Sequence, residues 1–370
     1  MKKGKGKIFI KGYETAQKAI LLPFAFLVLF FIAAPEVFNQ ITKTEPKVKI
    51  TEPKVKVIVP QPTMQPTPPK TPRMPVQKKR RADNESTAAA EKSIQTEAKV
   101  NVSLCVSEGN VHINGWERNE IRAYVNGGSK VGFKVLQKKQ KPVWVMVLGF
   151  DPMTDKEPGL DECLSGENIE LDVPHGAVIN MKSSASQISI QSVARVKVEN
   201  IGGDISLNQI AGGIEAGTYQ GDVMVEKSAG AMNLFATTGN IVVFDVEPSE
   251  VGDIFRAKTR NGAVTLQSIG HSQVEAGSTS GSIRYNGGFT DGGQYTFITN
   301  SGAILLSVPP ESSCRVNANY GLGAFQSDIT LKDVQKSSAG QVQKLTALLG
   351  DGDATLTLTT YSGAIRIKKK

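Results

Sequence analysis

Aromatic residues make up only 6% of this 370-residue chain, two of them tryptophan, and cysteine and histidine occur three times each. That scarcity excludes most metal chemistry. Cys105, Cys163 and Cys314 form no CxxC pair and the histidines lie far apart, so the spacing that holds zinc is missing. There is no GxxxxGK[ST], no HExxH and no GxSxG. The nearest approach to the last, Gly277 to Gly281, puts Thr279 where the nucleophile would stand. No catalytic, cofactor-binding or metal-binding residue is expected, and the chain is read as a non-enzyme. Two readings of the cysteines stay open: Cys105 and Cys163 paired in an oxidising compartment with Cys314 left over, or buried thiols acting as small hydrophobes.

The formal net charge of +8 is unevenly placed. Residues 1–98 hold 18 Lys or Arg against 8 Asp or Glu, and the remainder holds 25 against 27. The basic character therefore belongs to the first hundred residues. Residues 1–18 are a lysine-rich arm, and the run from Ala19 to Ala34 carries no charge. Extended to Phe38, that run approaches the length of a membrane span. A signal peptide cut after Ala34 would place Pro35 just past the cut and Ile32 where a small residue is wanted, so an uncleaved anchor over 19–38 is favoured. The lysine flank then stays in the cytoplasm and the rest is exported to the periplasm or beyond, by the positive-inside bias. Residues 39–98 read as a Pro/Lys-rich linker, with TEPKVKI at Thr44 repeated as TEPKVKV at Thr51 and prolines dense after Pro60. Proline at this density favours extended polyproline II, a semi-rigid spacer. The basic knot Lys78 to Arg81 is a solvated or envelope-facing charge run rather than a nucleic-acid site, given export. The stretch before Lys99 is expected to be a short helix or unstructured.

Residues 99–370 are organised by a returning phrase, a small polar residue followed by Gly and an alternating apolar run. It reads GGDISL at Gly202, QGDVMV at Gln220, TGNIVV at Thr238, NGAVTL at Asn261, SGSIRY at Ser280 and SGAILL at Ser301, with SGAIRI at Ser362 closing the chain. A period of roughly twenty residues marks a stacked repeat architecture. Alternation places one apolar row inward and one polar row outward, and glycine turns the corners. A single rung cannot bury its apolar row, whereas stacked rungs bury a continuous one. The predicted fold is all-β, a β-solenoid or stacked β-prism whose terminal rungs act as caps. The charged end IRIKKK is expected to blunt an exposed edge. Ser327 to Asp353 breaks the rhythm and is expected to be a surface loop with a short helical turn near Val342 to Leu349.

Few residues invite a chemical reading. Asp151, Asp155, Asp161 and Glu162 crowd one loop and resemble a glycosidase carboxylate pair, though solvated surface acids are the plainer account. Gly350 to Asp353 resembles half of one calcium-binding nonapeptide, but it occurs once and such sites share ions between several copies. Trp116 and Trp144 are candidates for sugar stacking or, preferably, for covering an end of the solenoid.

The phrases GNVHINGW, IELDVPHGAVINM, YTFITNSGAILLSVPPESSCRVNA and TLTTYSGAIRI, in that order, resemble the bacterial putative-adhesin domain family over about residues 100–370. The corner at Ser184 to Ile190 departs from the pattern in lacking glycine. The resemblance implies a β-solenoid domain of unknown function at the cell envelope, with no catalytic residues to carry over. The expected role is a membrane-anchored protein binding envelope polysaccharide or protein. The alternatives are a self-associating, bactofilin-like scaffold and a polysaccharide-cleaving enzyme. The expected partners are the inner membrane through one helix and an envelope polysaccharide, an envelope protein or a second copy, without nucleic acid.

Overall fold

Six consecutive rungs of nearly constant pitch follow from the repeat. The computed structural model describes residues 90–136, 141–151 and 162–370, and every regular element among them is a strand. The anchor at 19–38 and most of the linker lie outside the described residues. Each rung contributes a long strand and a short one separated by the glycine corner. On the long face Arg195–Gly202, Ile214–Gln220, Met232–Thr238, Ile254–Asn261, Gln273–Ser280 and Gln294–Ser301 pair in parallel and in strict register. On the short face Ile205–Asn208, Val223–Glu226, Ile241–Val246, Val264–Ile269, Ile283–Asn286 and Ile304–Val308 do the same.

The inward rows form one core. Val196 and Val198, Ile214 and Ala216, Met232 and Leu234, and Phe255 and Ala257 fill it from the long face. Ile205 and Leu207, Val223 and Val225, and Ile241 and Val243 meet them from the short face. Each large aliphatic side chain buried in this way contributes about 2 kcal/mol, offset by the entropy of ordering its strand.

Neither end is a simple continuation of the stack. At the C-terminal end the chain leaves rung 294–308, forms Cys314–Leu322 and Phe325–Ser327 one place further out, and then returns. Ala354–Ser362 and Ile365–Lys369 insert between those two rungs, parallel to both. The charged IRIKKK end is therefore an inner strand, which corrects the expectation that it blunts an edge. Its Ile365 and Ile367 are fully buried while its lysines project. The edge is covered instead by Lys332–Ala339 and Val342–Leu349, an antiparallel hairpin on Cys314–Leu322. The expected helical turn is thus a strand: Leu345, Ala347 and Leu349 alternate inward, a period of two.

The N-terminal end repeats the device. Val100–Trp116 spans both faces and lies between Val178–Gln191 on one side and Val143–Phe150 with Leu164–Pro174 on the other. Glu120–Asn126 and Lys130–Val135 add antiparallel strands outside those, and Ala90–Gln95 covers Glu120–Asn126. Ala90–Gln95 is a strand rather than a helix or an unstructured stretch. Cys105 and Cys163 form a disulfide with 4.5 Å between Cα atoms, tying the inserted strand to its outer neighbour. Cys314 is the free, buried cysteine, and burial pushes its thiol up to about 12, so it packs as a small hydrophobe.

The glycine corners stack. A Cβ on Gly262 would lie 2.0 Å from the carbonyl oxygen of Gly239, and one on Gly281 would lie 1.9 Å from that of Gly262. Gly363 packs in the same way on Gly302, and Gly323 on Gly363, following the inserted order of the rungs. Just inside this column, buried hydroxyls donate to the glycine carbonyls: Thr259 to Gly239 at 2.8 Å, Ser278 to Gly262 at 2.8 Å, Thr299 to Gly281 at 2.9 Å and Thr360 to Gly302 at 3.0 Å. At the glycine-free corner the Ser183 hydroxyl donates to that of Ser186, and the Asn200 amide donates to the Ser186 carbonyl. Ala236 occupies the hydroxyl position between Thr218 and Thr259 and is fully buried. Ala236→Ser is expected to raise stability by about 0.5–1.5 kcal/mol, one buried hydrogen bond. Urea unfolding checks it, and a destabilised variant would contradict the assignment of this column.

Candidate binding face

With the inward rows committed to the core, chemistry must sit on the outward rows. On the long face three rows run across the rungs. In the first, Lys197, Glu215, Asn233, Arg256 and Glu275 are neighbours on consecutive strands. In the second, the order is Glu199, Gly217, Phe235, Lys258, Gly277 and Ile298. The third carries Ile201, Tyr219, Arg260 and Tyr361, all exposed.

Most charges here are engaged. Lys197 pairs with Glu215 at 2.9 Å, Lys182 with Glu199 at 3.4 Å, and Arg256 with Glu275 at 3.1 Å. Lys258 also bonds Glu275. Partial burial works to raise the Glu275 carboxyl, but Lys258 and then Arg256 outweigh it and hold it below the usual carboxylate range. Such exposed pairs stabilise little individually.

Two depressions interrupt this face. A groove of about 760 Å³ runs below the loop Glu247–Asp253 and is lined by Arg195, Lys197, Glu215, Asn233 and Arg256. Its cations are all occupied, Arg195 by the Gly212 carbonyl at 2.8 Å and the others by the pairs above. A smaller trough of about 380 Å³ lies between Phe235 and Ile298, floored by Gly277 and flanked by Lys258, Arg260 and Thr279. Phe235 is 48% exposed and Ile298 46%.

The residues singled out from sequence are not gathered into a site. Trp116 donates its indole N–H to the Glu120 carbonyl at 2.8 Å and is flanked by the guanidinium groups of Arg118 and Arg122, at 5.0 and 5.4 Å from its ring centre. Trp144 donates to the Ser103 hydroxyl at 2.7 Å. Both are half-buried and partnered on the terminal rungs. Asp155 and Asp161 lie outside the described residues. Gly350 to Asp353 is a turn built around Ser313, whose hydroxyl accepts from the amides of Asp351, Gly352 and Asp353 and donates to the Asp353 carboxylate at 2.7 Å. The Asp353 carboxylate is thus held by Ser313, and the Asp351 carboxylate lies 3.7 Å from the Lys332 ammonium. Thr279 is exposed, and neighbouring Ser278 is bound to Gly262.

His271 is fully buried beside Phe255, with Nε2 2.9 Å from the Gly230 carbonyl and Nδ1 lacking a protein partner. Desolvation lowers its pKa, outweighing the Gly230 contact and the charge of Asp253. The folded state therefore favours neutral imidazole, and the unfolded chain binds the proton first as pH falls below about 6.5. Stability should be level above that pH and decline below it. Thermal melts between pH 7.5 and 5 check this: the decline should be shallower in His271→Leu, and an unchanged slope would contradict it.

The family described as Toastrack DUF4097 matches residues 93–368. The chain belongs to the Toastrack DUF4097 family. Two solved structures are found as similar to this chain. One is described as a "putative cell adhesion protein" from Clostridium sporogenes, 11% identical, with 76% of this chain and 99% of that chain covered and a TM-score of 0.21. The other is described as a "putative adhesin" from Parabacteroides distasonis, 9% identical, with 76% and 97% covered and a TM-score of 0.27. At these TM-scores the likeness carries no argument about this chain. No curated protein matches it. The sequence resemblance to an adhesin-type β-solenoid domain agrees with the Toastrack assignment. Sequence reasoning placed the polar rows outward and missed the exposed apolar residues standing on them. Their signal was present as Tyr219, Phe235 and Ile298 at polar positions of the alternation.

Proposed function

We infer that this Toastrack protein is a membrane-anchored, exported, non-enzymatic adhesion module that holds an envelope component on its long face. The observation that carries the reading is the row structure of that face. Exposed Tyr219, Phe235, Ile298 and Tyr361 stand among fixed charges on a scaffold whose backbone is locked by parallel pairing on both sides. Rigid aromatic and cationic side chains on a pre-formed surface are what binding requires, because little is lost in ordering them. The Cys105–Cys163 disulfide supports export, since such bonds persist in oxidising compartments.

Covered ends weigh against the scaffold alternative. Lys332–Ala339 is exposed, carries Lys332 and Lys336 and is interrupted by a register shift between Lys332 and Gln335, the kind of edge that discourages strand addition. Sedimentation of the full chain in detergent should show no concentration-dependent growth. Topology is tested in intact cells with Val251→Cys, a fully exposed position, and a membrane-impermeant maleimide. The native cysteines stay silent, two in the disulfide and one buried. Labelling before lysis is expected, and labelling only after lysis overturns export.

A further inference from the structure

Of the two depressions described on the long face, the smaller has a cation to spare. The trough between Phe235 and Ile298 is lined by two cations, Lys258 and Arg260, and one carboxylate, Glu275. That carboxylate is already shared by Lys258 and Arg256. Arg260 makes no ion pair with any described residue and is exposed two positions along the same strand face from Lys258. The neighbouring larger groove differs in that each of its cations has a partner.

The walls and floor supply the rest. Phe235 and Ile298 sit on strands three places apart, roughly 14 Å at the usual spacing of paired strands. Between them Gly277 contributes no side chain, and even a Cβ there would meet only ordinary contacts, at 3.6 Å to the Lys258 side chain and 3.7 Å to the Ile298 carbonyl. The glycine is thus not demanded by packing, unlike the corner glycines, and its effect is to keep the floor open. Thr279 adds an exposed hydroxyl. A flat apolar ring face, an open floor, hydroxyls and an unpaired guanidinium fit a sugar ring bearing an acidic group. The ring's C–H face packs on Phe235 while its carboxylate or phosphate meets Arg260, a planar donor suited to bidentate contact. A protein partner fits less well. Protein interface cores are depleted of charge, and here the apolar residues stand singly between glycines and ion pairs.

We propose that the Phe235–Ile298 trough is a subsite for an acidic polysaccharide, with Phe235 as the stacking platform and Arg260 as the anion-binding group. This rests on the adhesion reading above and names its ligand class. The test is titration of the full chain in detergent with polygalacturonate and, separately, with a neutral glucan of similar length. Polygalacturonate should bind and the glucan should not. Affinity should fall with added salt and by roughly tenfold in Phe235→Ala and in Arg260→Ala, the scale of a lost interfacial anchor. Arg260→Lys should recover only part of the loss, and Gly277→Ala, which leaves the fold intact, should weaken binding by filling the floor. Equal binding of the neutral glucan, or variants that bind polygalacturonate unchanged, would overturn the proposal. Failure of the chain to bind either glycan overturns it too. The broader adhesion reading still stands in that case if the protein is retained on isolated envelope fragments, and falls if it is not.

Discussion

Gly262→Ala should cost about 3–5 kcal/mol, a large share of the about 5–15 kcal/mol that most domains have in total. The reason is the neighbouring backbone. A Cβ at residue 262 would sit 2.0 Å from the Gly239 carbonyl oxygen and 2.6 Å from its carbon, and neither atom can retreat without breaking the parallel ladder. Gly262 also has φ of 154°, at the margin of what a side chain tolerates. The strain would spread, since Gly281 rests on Gly262 as Gly262 rests on Gly239. Gly252→Ala is the matched control: its φ is 96°, but nothing lies within 4 Å of the added carbon. It should cost only about 1 kcal/mol of backbone strain. Urea denaturation of the two variants gives the comparison, and equal losses would show that backbone conformation rather than rung contact selects glycine at the corners.

Reduction, or replacement of both Cys105 and Cys163 by serine, is expected to remove about 2–4 kcal/mol. The bond closes a separation of 58 residues that contains the antiparallel strands covering the N-terminal end. Without it, the unfolded chain gains freedom and the inserted strand Val100–Trp116 loses its covalent tie to Leu164–Pro174. Denaturant melts with and without reductant should differ by that amount in the native protein and not at all in the doubly substituted one. A melt insensitive to reductant in the native protein would mean that the pair is not formed.

Much of the architecture was legible in the sequence because a solenoid repeats its instructions. Alternation gave the inward rows, and the recurring glycine gave both the pitch and the corner. The ends were not legible, for a physical reason. Whether Ala354–Ser362 follows or precedes Cys314–Leu322 in the stack depends on which rung it contacts, and every long strand offers the same apolar alternation to any other. Local pattern therefore predicts a strand without predicting its neighbour. Val342–Leu349 was misread because a run of leucine and alanine suits a helix by propensity, and pairing with Cys314–Leu322 overrode it. Cys105 and Cys163 could be seen as possible partners but not as neighbours, because the strand insertion that brings them together is itself long-range. The binding face was half legible. Phe235 and Ile298 are apolar residues at outward positions, yet Gly217, Lys258 and Gly277 become their neighbours only through the register of five separate strands.

If recognition resides on the long outward face, substituting one face at a time will separate the two sides. Retention of the full chain on isolated envelope fragments would be measured for the native protein, for Tyr219→Ser with Phe235→Ser on the long face, and for Met224→Ser on the short face. All three positions are exposed, so the fold should be unaffected. The long-face variant should lose retention while the short-face variant keeps it. Retention that survives the long-face substitutions, or that disappears with Met224→Ser alone, would contradict it.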